Sequence, residues 1–268
     1  MQIVHRLSFA SSLEIQIELA AVGVEVAAEG PATFEVVESN ALWKNLELWI
    51  EVRKPLDIIT TKFTTDEVRG PDWLELVPHW HNGYPQPDPD VFGYLNVTFD
   101  QATSCDDCGI GLTQVAPFRM LGEPKWGRRS ILQLNWVFDD FFVTPDVWSQ
   151  VFKPFGIDRW PVLTANGKSQ LATVVQLKVD GLVGIRTDEL VASQCGKCQR
   201  VKYLPHVRGP FPELLEKPES GITKTREYFG SGAAAHRRVL VSQGLRRALA
   251  DALVRGSSFR PVRQEVGD

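Results

Sequence analysis

Cys105-Asp106-Asp107-Cys108-Gly109 and Cys195-Gly196-Lys197-Cys198-Gln199 are two short stretches that together contain all four cysteines of the chain. In each stretch two residues separate the cysteines, the spacing at which two thiolates can point at one tetrahedral ion. Two such knuckles make a closed site that leaves no open position for water or substrate. The sequence therefore predicts a structural rather than catalytic zinc ion, with the ligands Cys105, Cys108, Cys195 and Cys198.

The two knuckles lie far apart in the sequence. If they share one ion, residues 110–194 form an insertion that the metal closes, and the knuckles are the halves of a split zinc ribbon. Separate partial sites at the two knuckles are one alternative. A thioredoxin-type redox pair is another, but neither pair has the strand-to-helix Trp-Cys-x-x-Cys context of that motif.

Size and composition indicate a globular protein. A chain of 268 residues with 43% hydrophobic content has enough material for one large domain or two small ones. The N-terminus lacks the continuous apolar segment of a signal peptide, and no stretch approaches the roughly 20 apolar residues of a membrane helix. Together with the paired cysteines, these features predict a cytoplasmic protein with reduced thiols and no membrane partner.

Charge is distributed unevenly along the chain. Residues 1–100 contain six Lys and Arg against sixteen Asp and Glu, whereas residues 236–263 contain seven arginines against Asp251 alone. Such asymmetry bears on partners and association rates rather than on the fold. The acidic region suits a basic protein, and the arginine-rich region suits phosphates.

Hydrophobic patterning predicts strands in the first hundred residues. Apolar residues alternate with polar ones in Leu13–Leu19 and in Leu46–Val52, a period of two that is typical of half-buried strands. The Pro- and Trp-rich segment 72–90 is expected to be an irregular loop that leads into a strand at Tyr94–Phe99. The predicted strands would direct four glutamates to solvent: Glu14, Glu18, Glu47 and Glu51.

The second half of the chain contains clearer signals. Strands are predicted at 130–138 and Ala172–Val179, with a helix between them that Thr144 caps before Pro145. Near the C-terminus, Arg238–Val241 reads as a strand, Ser242 as an N-cap, and Phe259–Val262 as a returning strand. The intervening helix has its apolar residues at helical spacing and is expected to end at Gly256.

These patterns predict an α+β protein with three regions. Residues 1–100 would form an acidic, β-rich N-terminal region. Residues 101–210 would form a zinc-clasped middle with split zinc-ribbon-like knuckles, and residues 211–268 a C-terminal β-α-β unit.

Other candidate sites are weaker. His79-Trp80-His81 would place both imidazoles on one side of a strand, but no third ligand is close in sequence, so we expect a structural role. Asp139-Asp140 is read as a solvated turn, because adjacent strand residues face opposite sides. Without a P-loop, a dinucleotide fingerprint or a nucleophile elbow, no enzyme is predicted. An enzyme built from His79, His81 and Asp139 stays an alternative that a deep polar pocket would favour.

The knuckles resemble those of the double-CXXCG paralogous family of myxobacteria, which includes Sit-type toxin immunity proteins of the cytoplasm. The resemblance rests on the two stretches at 105–109 and 195–198 and on the strand-helix-strand pattern of Val239–Val262. Two features depart from the family pattern: Gln199 stands where the second motif has glycine, and about a hundred residues precede the first knuckle. The resemblance implies that the four cysteines bind metal and that the protein neutralises a toxin.

The sequence thus leads to a non-enzymatic, zinc-stapled binding protein, an immunity protein whose acidic region captures a cognate basic toxin. The alternative is a zinc-ribbon nucleic-acid-binding protein that uses Arg246, Arg247 and Arg255 of the C-terminal unit, which are expected to face solvent. Nucleic acid is the less favoured partner, because the whole chain is acidic and shows no aromatic-basic stacking platform.

Overall fold

A computed structural model describes residues 1–264, which fold as two compact units. The first unit is Met1–Glu67 with Val207–Gly209, and the second is Val68–His206 with the described part of Pro210–Asp268. The last four residues of the region expected at 211–268 lie outside the described residues. None of the helices in the described part is long and apolar enough to cross a membrane.

The first unit is a three-stranded antiparallel sheet covered by two helices. Its sheet has the order β2-β1-β3, and its core contains Leu7, Leu19 and Leu46. The elements are β1 (Gln2–Ser11), α1 (Leu13–Ala21), β2 (Gly30–Val37), α2 (Trp43–Arg53) and β3 (Leu56–Lys62), and α3 (Thr65–Arg69) follows.

The strands predicted at Leu13–Leu19 and Leu46–Val52 are wrong, because both segments are helices. In α1 the Ser12 hydroxyl caps the helix by accepting from the Ile15 amide, and Ile15 and Leu19 face the core at helical spacing. In α2 the core-facing residues are Leu46 and Trp49. The apparent period of two arose because both helices also present apolar residues to solvent.

The second unit contains the remaining elements. Its helices are α4 (Tyr94–Thr98), α5 (Pro145–Val147), which continues as irregular helical turns to Phe155, and α6 (Gln243–Asp251). Its strands are β4 (Trp73–Pro78), β5 (Phe99–Asp100), β6 (Thr113–Gln114), β7 (Arg119–Met120), β8 (Ile131–Leu132), β9 (Phe142–Val143), β10 (Arg159–Thr164), β11 (Gln170–Leu177), β12 (Leu182–Val183), β13 (Ala192–Gln194), β14 (Val201–Tyr203), β15 (Ile222–Thr225), β16 (Val239–Ser242) and β17 (Ser257–Pro261).

Two five-stranded sheets of the second unit share one core. Their orders are β7-β10-β11-β9-β8 and β12-β15-β16-β4-β17. Leu74 and Leu76 of β4 lie in the same cluster as Val175 and Leu177 of β11, and Leu245 of α6 joins them. The first of these sheets lies within residues 110–194, so the segment between the knuckles carries a large part of this core.

The C-terminal strand-helix-strand is confirmed. The Ser242 hydroxyl caps α6 by accepting a hydrogen bond from the Leu245 amide. The Thr144 hydroxyl caps α5 by accepting a hydrogen bond from the Val147 amide. The helix ends at Asp251, however, and not at Gly256 as predicted. Gly256 has a different role: a Cβ there would lie 2.2 Å from the Ile131 carbonyl oxygen, so the glycine permits close contact with β8.

Three further expectations for this unit are corrected. The segment 72–90 is not only a loop, because it contains β4, which pairs with both β16 and β17. Tyr94–Thr98 is a helix followed by the short strand β5, and the strand expected at 130–138 is limited to β8. These segments make most of their pairings with residues distant in sequence, which local patterns do not encode.

Glu75 is the buried charge at the centre of β4. Its side chain is 1% exposed and forms ion pairs with Arg238, next to β16, and with Arg260 of β17. The Arg260 pair has an N–O distance of 3.2 Å. The carboxylate therefore joins the two strands that flank β4.

We predict that Glu75→Ala lowers the free energy of unfolding of the second unit by about 3–5 kcal/mol, because two partly buried guanidinium groups lose their partner. Glu189→Ala is the matched control, since it breaks an exposed ion pair with Arg263 and is expected to cost less than about 1 kcal/mol. Urea denaturation followed by tryptophan fluorescence measures both, and equal losses would contradict the role of Glu75.

Candidate metal centre

Each cysteine pair lies at the tip of a two-stranded hairpin. Strands β5 and β6 flank the first pair, with Phe99 opposite Gln114, and strands β13 and β14 flank the second, with Gln194 opposite Val201. The two hairpins come from segments far apart in the chain and meet at their tips. This is the arrangement of a zinc ribbon divided by an insertion.

The two knuckles have the same backbone geometry. The amide of Gly109 donates to the Cys105 carbonyl at 2.7 Å, and the amide of Gln199 donates to the Cys195 carbonyl at 2.9 Å. Both residues adopt positive φ values, 75° for Gly109 and 60° for Gln199. Gln199 therefore takes the conformation that glycine takes in the first knuckle, and its side chain donates to the Gly196 carbonyl at 2.8 Å.

The four sulfur atoms form a cluster of the size that one ion requires. All lie within 4.8 Å of one another, with Sγ–Sγ distances of 3.8 Å between Cys105 and Cys195 and 3.6 Å between Cys108 and Cys198. These distances exclude disulfides. A tetrahedron with metal–sulfur bonds of ~2.3 Å has edges of about 3.8 Å. The cluster can therefore hold one tetrahedral metal ion.

Cationic side chains surround the cluster. Arg200 donates from Nε to the Cys198 sulfur at 3.3 Å. Lys197 of the second knuckle forms ion pairs with Asp106 and Asp107 of the first, at 3.7 and 3.5 Å. These contacts offset the negative charge of a tetrathiolate centre and hold the knuckles together.

Lys202 is the most buried of these cations, at 4% exposure. Its ammonium group donates to three carbonyl oxygens, at Cys108, Gly232 and Ala234. The same contacts fix the segment 232–235 against the first knuckle. Gly109 allows this approach, because a Cβ there would lie 2.2 Å from the Ala233 carbonyl oxygen.

The thiols differ in acidity. The hydrogen bond from Arg200 lowers the pKa of Cys198 to about 6, whereas burial raises the pKa of Cys108 to about 12. A thiolate at Cys108 therefore needs a nearby positive charge, which a coordinated divalent ion would supply.

The histidine pair is not brought to this cluster. The side chains of His79 and His81 are exposed, and their backbones pair with Gly256 and Gln133. Within residues 1–264, the four cysteines are the only group of three or more His, Cys, Asp or Glu side chains placed to share an ion.

The solvated turn expected at Asp139-Asp140 is wrong. Asp140 is 7% exposed, and the Lys224 ammonium lies 2.9 Å from its carboxylate and 3.7 Å from that of Asp139. Both aspartates lie in the loop between β8 and β9, so the alternation of a strand does not apply. Their partner lies on β15, and no local signal in the sequence indicates the pairing.

Fold and site together define the class of this protein: an α+β chain in which two CxxC hairpins form a four-cysteine cluster that can hold a metal ion. Comparison with protein-family models, with curated proteins and with solved structures finds no match.

We predict that protein purified without chelator carries close to one zinc ion per chain. Cys105→Ser and Cys198→Ser should each remove the metal and lower the melting temperature by about 20 °C or more, because the ion closes a long loop. Metal analysis by mass spectrometry and thermal unfolding measure both effects. His79→Ala with His81→Ala is the control and should leave the zinc content unchanged. Finding neither zinc nor iron in the wild-type chain would refute the site.

Gly109 and Gln199, the two knuckle residues with positive φ, should respond differently to substitution by alanine. Gly109→Ala forces a Cβ against the Ala233 carbonyl and is expected to cost about 3 kcal/mol and weaken metal binding. Gln199→Ala adds no atoms, loses one hydrogen bond and should cost about 1 kcal/mol with the metal retained. Denaturation and metal titration of both variants test this, and similar effects at both positions would contradict it.

Proposed function

We propose that this protein is a non-enzymatic binding protein stabilised by a zinc ion, and that it serves as a cytoplasmic immunity protein that neutralises a basic protein toxin. The observation that carries the proposal is a surface on α1 and α2 that combines exposed apolar residues with carboxylates. We call this surface the helical face; its residues are Leu13, Glu14, Ile17, Glu47, Leu48, Glu51 and Val52.

The apolar part of the helical face is unusually exposed. Its four apolar side chains, Leu13, Ile17, Leu48 and Val52, have exposures between 62% and 77%. They occur as i, i+4 pairs, one on each helix, so each helix presents them on one side. Apolar side chains grouped in this way on a folded surface mark protein interaction sites.

The two helices are held side by side by a polar network. Glu18 accepts hydrogen bonds from Trp49 and Arg53, and Arg53 also reaches Glu14 at 2.6 Å. Glu18 is therefore not the solvent-facing carboxylate expected from the sequence. The network fixes the spacing of the apolar pairs, so a partner would meet a surface that needs little ordering.

Charge on the helical face favours a basic partner. Glu47 and Glu51 are exposed one helical turn apart, with no ion pair among the described residues, and Lys44 is exposed on the same helix. Carboxylates around an apolar centre speed the encounter with a cationic protein, while apolar contact slows its release. The resemblance of the knuckles to the double-CXXCG family supports the same function.

The test uses the product of the reading frame beside this gene, which this proposal expects to be a basic toxin. Glu47→Lys with Glu51→Lys should lower its association rate by about tenfold at low salt, and Leu48→Ala with Val52→Ala should raise its dissociation rate. Glu25→Lys with Glu29→Lys is the matched control, with the same change in net charge in the loop after α1. Surface plasmon resonance measures both rates, and equal effects of the two charge reversals would reject the helical face.

Nucleic-acid binding is the outcome that would overturn this proposal. Of the arginines expected to face solvent, Arg246 is half-buried, whereas Arg247 and Arg255 are exposed. The Arg255 carbonyl accepts from the Ser130 amide, next to the exposed cations Arg128 and Arg129. Arg129 lies 5.0 Å from the centre of the Trp80 ring, so a basic surface beside an aromatic ring exists that the sequence did not reveal. A salt-sensitive gel shift with DNA or RNA that depends on these cations would replace the toxin as partner.

A further inference from the structure

A cleft in the second unit has the dimensions of a small-molecule site. Its volume is about 370 Å³, within the range of roughly 300–1,000 Å³ typical of ligand sites. It lies beside the segment that Lys202 fixes to the metal centre, because Gly109, Ala235 and His236 are among its walls. The helical face belongs to the other unit, so the cleft is not part of the proposed protein-binding surface.

Partly buried charges line the cleft. Asp139, Asp140 and Lys224 meet there, as described above, and the amide of Arg237 donates to Asp139 Oδ2 at 3.2 Å. Asp139 Oδ1 has no hydrogen bond among the described residues and is left as an acceptor. A buried ion pair is a poor source of stability, because desolvation offsets its attraction. Its place in a cleft therefore points to a role in binding.

The lining of the cleft is balanced in charge, with three carboxylates against three cationic side chains. Lys224 is held by two carboxylates, and Lys178 pairs with Asp180 at 3.1 Å. The Arg237 guanidinium donates to two backbone carbonyls and to the Tyr228 hydroxyl. Because the charges of the lining cancel and most of its cationic groups already have partners, the cleft favours a neutral ligand over an anionic one.

His236 supplies an unused donor. Burial and the nearby Arg238 lower the pKa of His236 to about 4, so the ring is neutral near pH 7. Arg238 can only donate, and it lies 3.4 Å from Nε2, so Nε2 accepts and the proton resides on Nδ1. This Nδ1–H is buried and has no acceptor among the described residues. A buried donor without a partner is costly, which a ligand oxygen would correct.

An open aromatic ring completes the lining. Phe138 is 41% exposed, and the His236 ring covers one side of it at a centroid distance of 5.0 Å. Trp136 forms an adjoining wall and is held between Tyr84 and Phe92, with ring centroids 4.5 and 4.6 Å away. Trp136 has a φ of 67°, a conformation that a bulky residue adopts only when its surroundings impose it.

We propose that this cleft binds a neutral ring compound rich in hydroxyl groups, with the chemistry shared by saccharides and nucleosides. A hydroxyl group both donates and accepts, so one ligand hydroxyl donates to Asp139 Oδ1, and a small rotation of the His236 ring brings its buried Nδ1–H to a neighbouring hydroxyl. The flat face of the ring packs on Phe138. The balanced charge of the lining disfavours phosphorylated forms of the same compounds.

The test is calorimetric titration of the full chain, loaded with zinc, against a fixed panel. The neutral probes are methyl glucoside, N-acetylglucosamine, maltose, adenosine and uridine; the charged probes are glucose 6-phosphate, adenosine monophosphate and uridine monophosphate. At least one neutral probe should bind with a Kd of about 1 mM or tighter, and its phosphorylated form about tenfold more weakly. Whether the saccharides or the nucleosides of the panel bind shows which of the two classes of compound the cleft recognises.

Variants connect binding to the named residues. His236→Phe keeps the ring volume and removes the unpaired donor, so the melting temperature should stay equal or rise while affinity falls about tenfold. Asp139→Ala and Phe138→Ala should weaken binding similarly. Leu121→Ala is the control, because Leu121 is 83% exposed and does not line the cleft. Failure of every neutral probe, tighter binding of the phosphorylated forms, or unchanged affinity in His236→Phe would overturn the proposal.

Discussion

The convergence of four cysteine sulfurs is the constraint on which the second unit depends. The two hairpins that carry them are separated by the whole first five-stranded sheet, so the cluster fixes both ends of that segment at one point. In small metal-binding domains, zinc coordination supplies roughly 10–16 kcal/mol of apparent free energy, comparable to the stability of a whole domain. A single ion at this position would stabilise the fold far more than any one packing contact.

The influence of the cluster extends to the cleft through Lys202. Its ammonium group joins the first knuckle to carbonyls at Gly232 and Ala234, and the next residues along the chain include His236, which lines the cleft. A buried cation satisfied by three carbonyls holds this segment rigidly. The cysteine cluster, the buried lysine and the cleft are therefore linked through one segment, so loss of an ion from the cluster would be expected to loosen the cleft.

In the first unit, an alternation of apolar and polar residues predicted two strands where the structure has the helices α1 and α2. Leu13, Ile17, Leu48 and Val52 are apolar but exposed, and together with the core residues they imitate the alternation of strands. The periodicity of apolar residues indicates which side chains are buried only when the residues at the surface are polar. The residues that misled the secondary-structure prediction are those that form the helical face, and their exposure is what suggests a partner.

The sequence by itself determined the features that rest on local chemistry: the cysteine spacing, the caps at Thr144 and Ser242, and the α+β class with its C-terminal strand-helix-strand. Only the tertiary structure decided which distant groups meet. It placed β4 between β16 and β17 around Glu75, paired Asp139 and Asp140 with Lys224, and left the His236 donor at the cleft. Local patterns encode the path of the backbone over a few residues, whereas such contacts depend on how whole sheets pack.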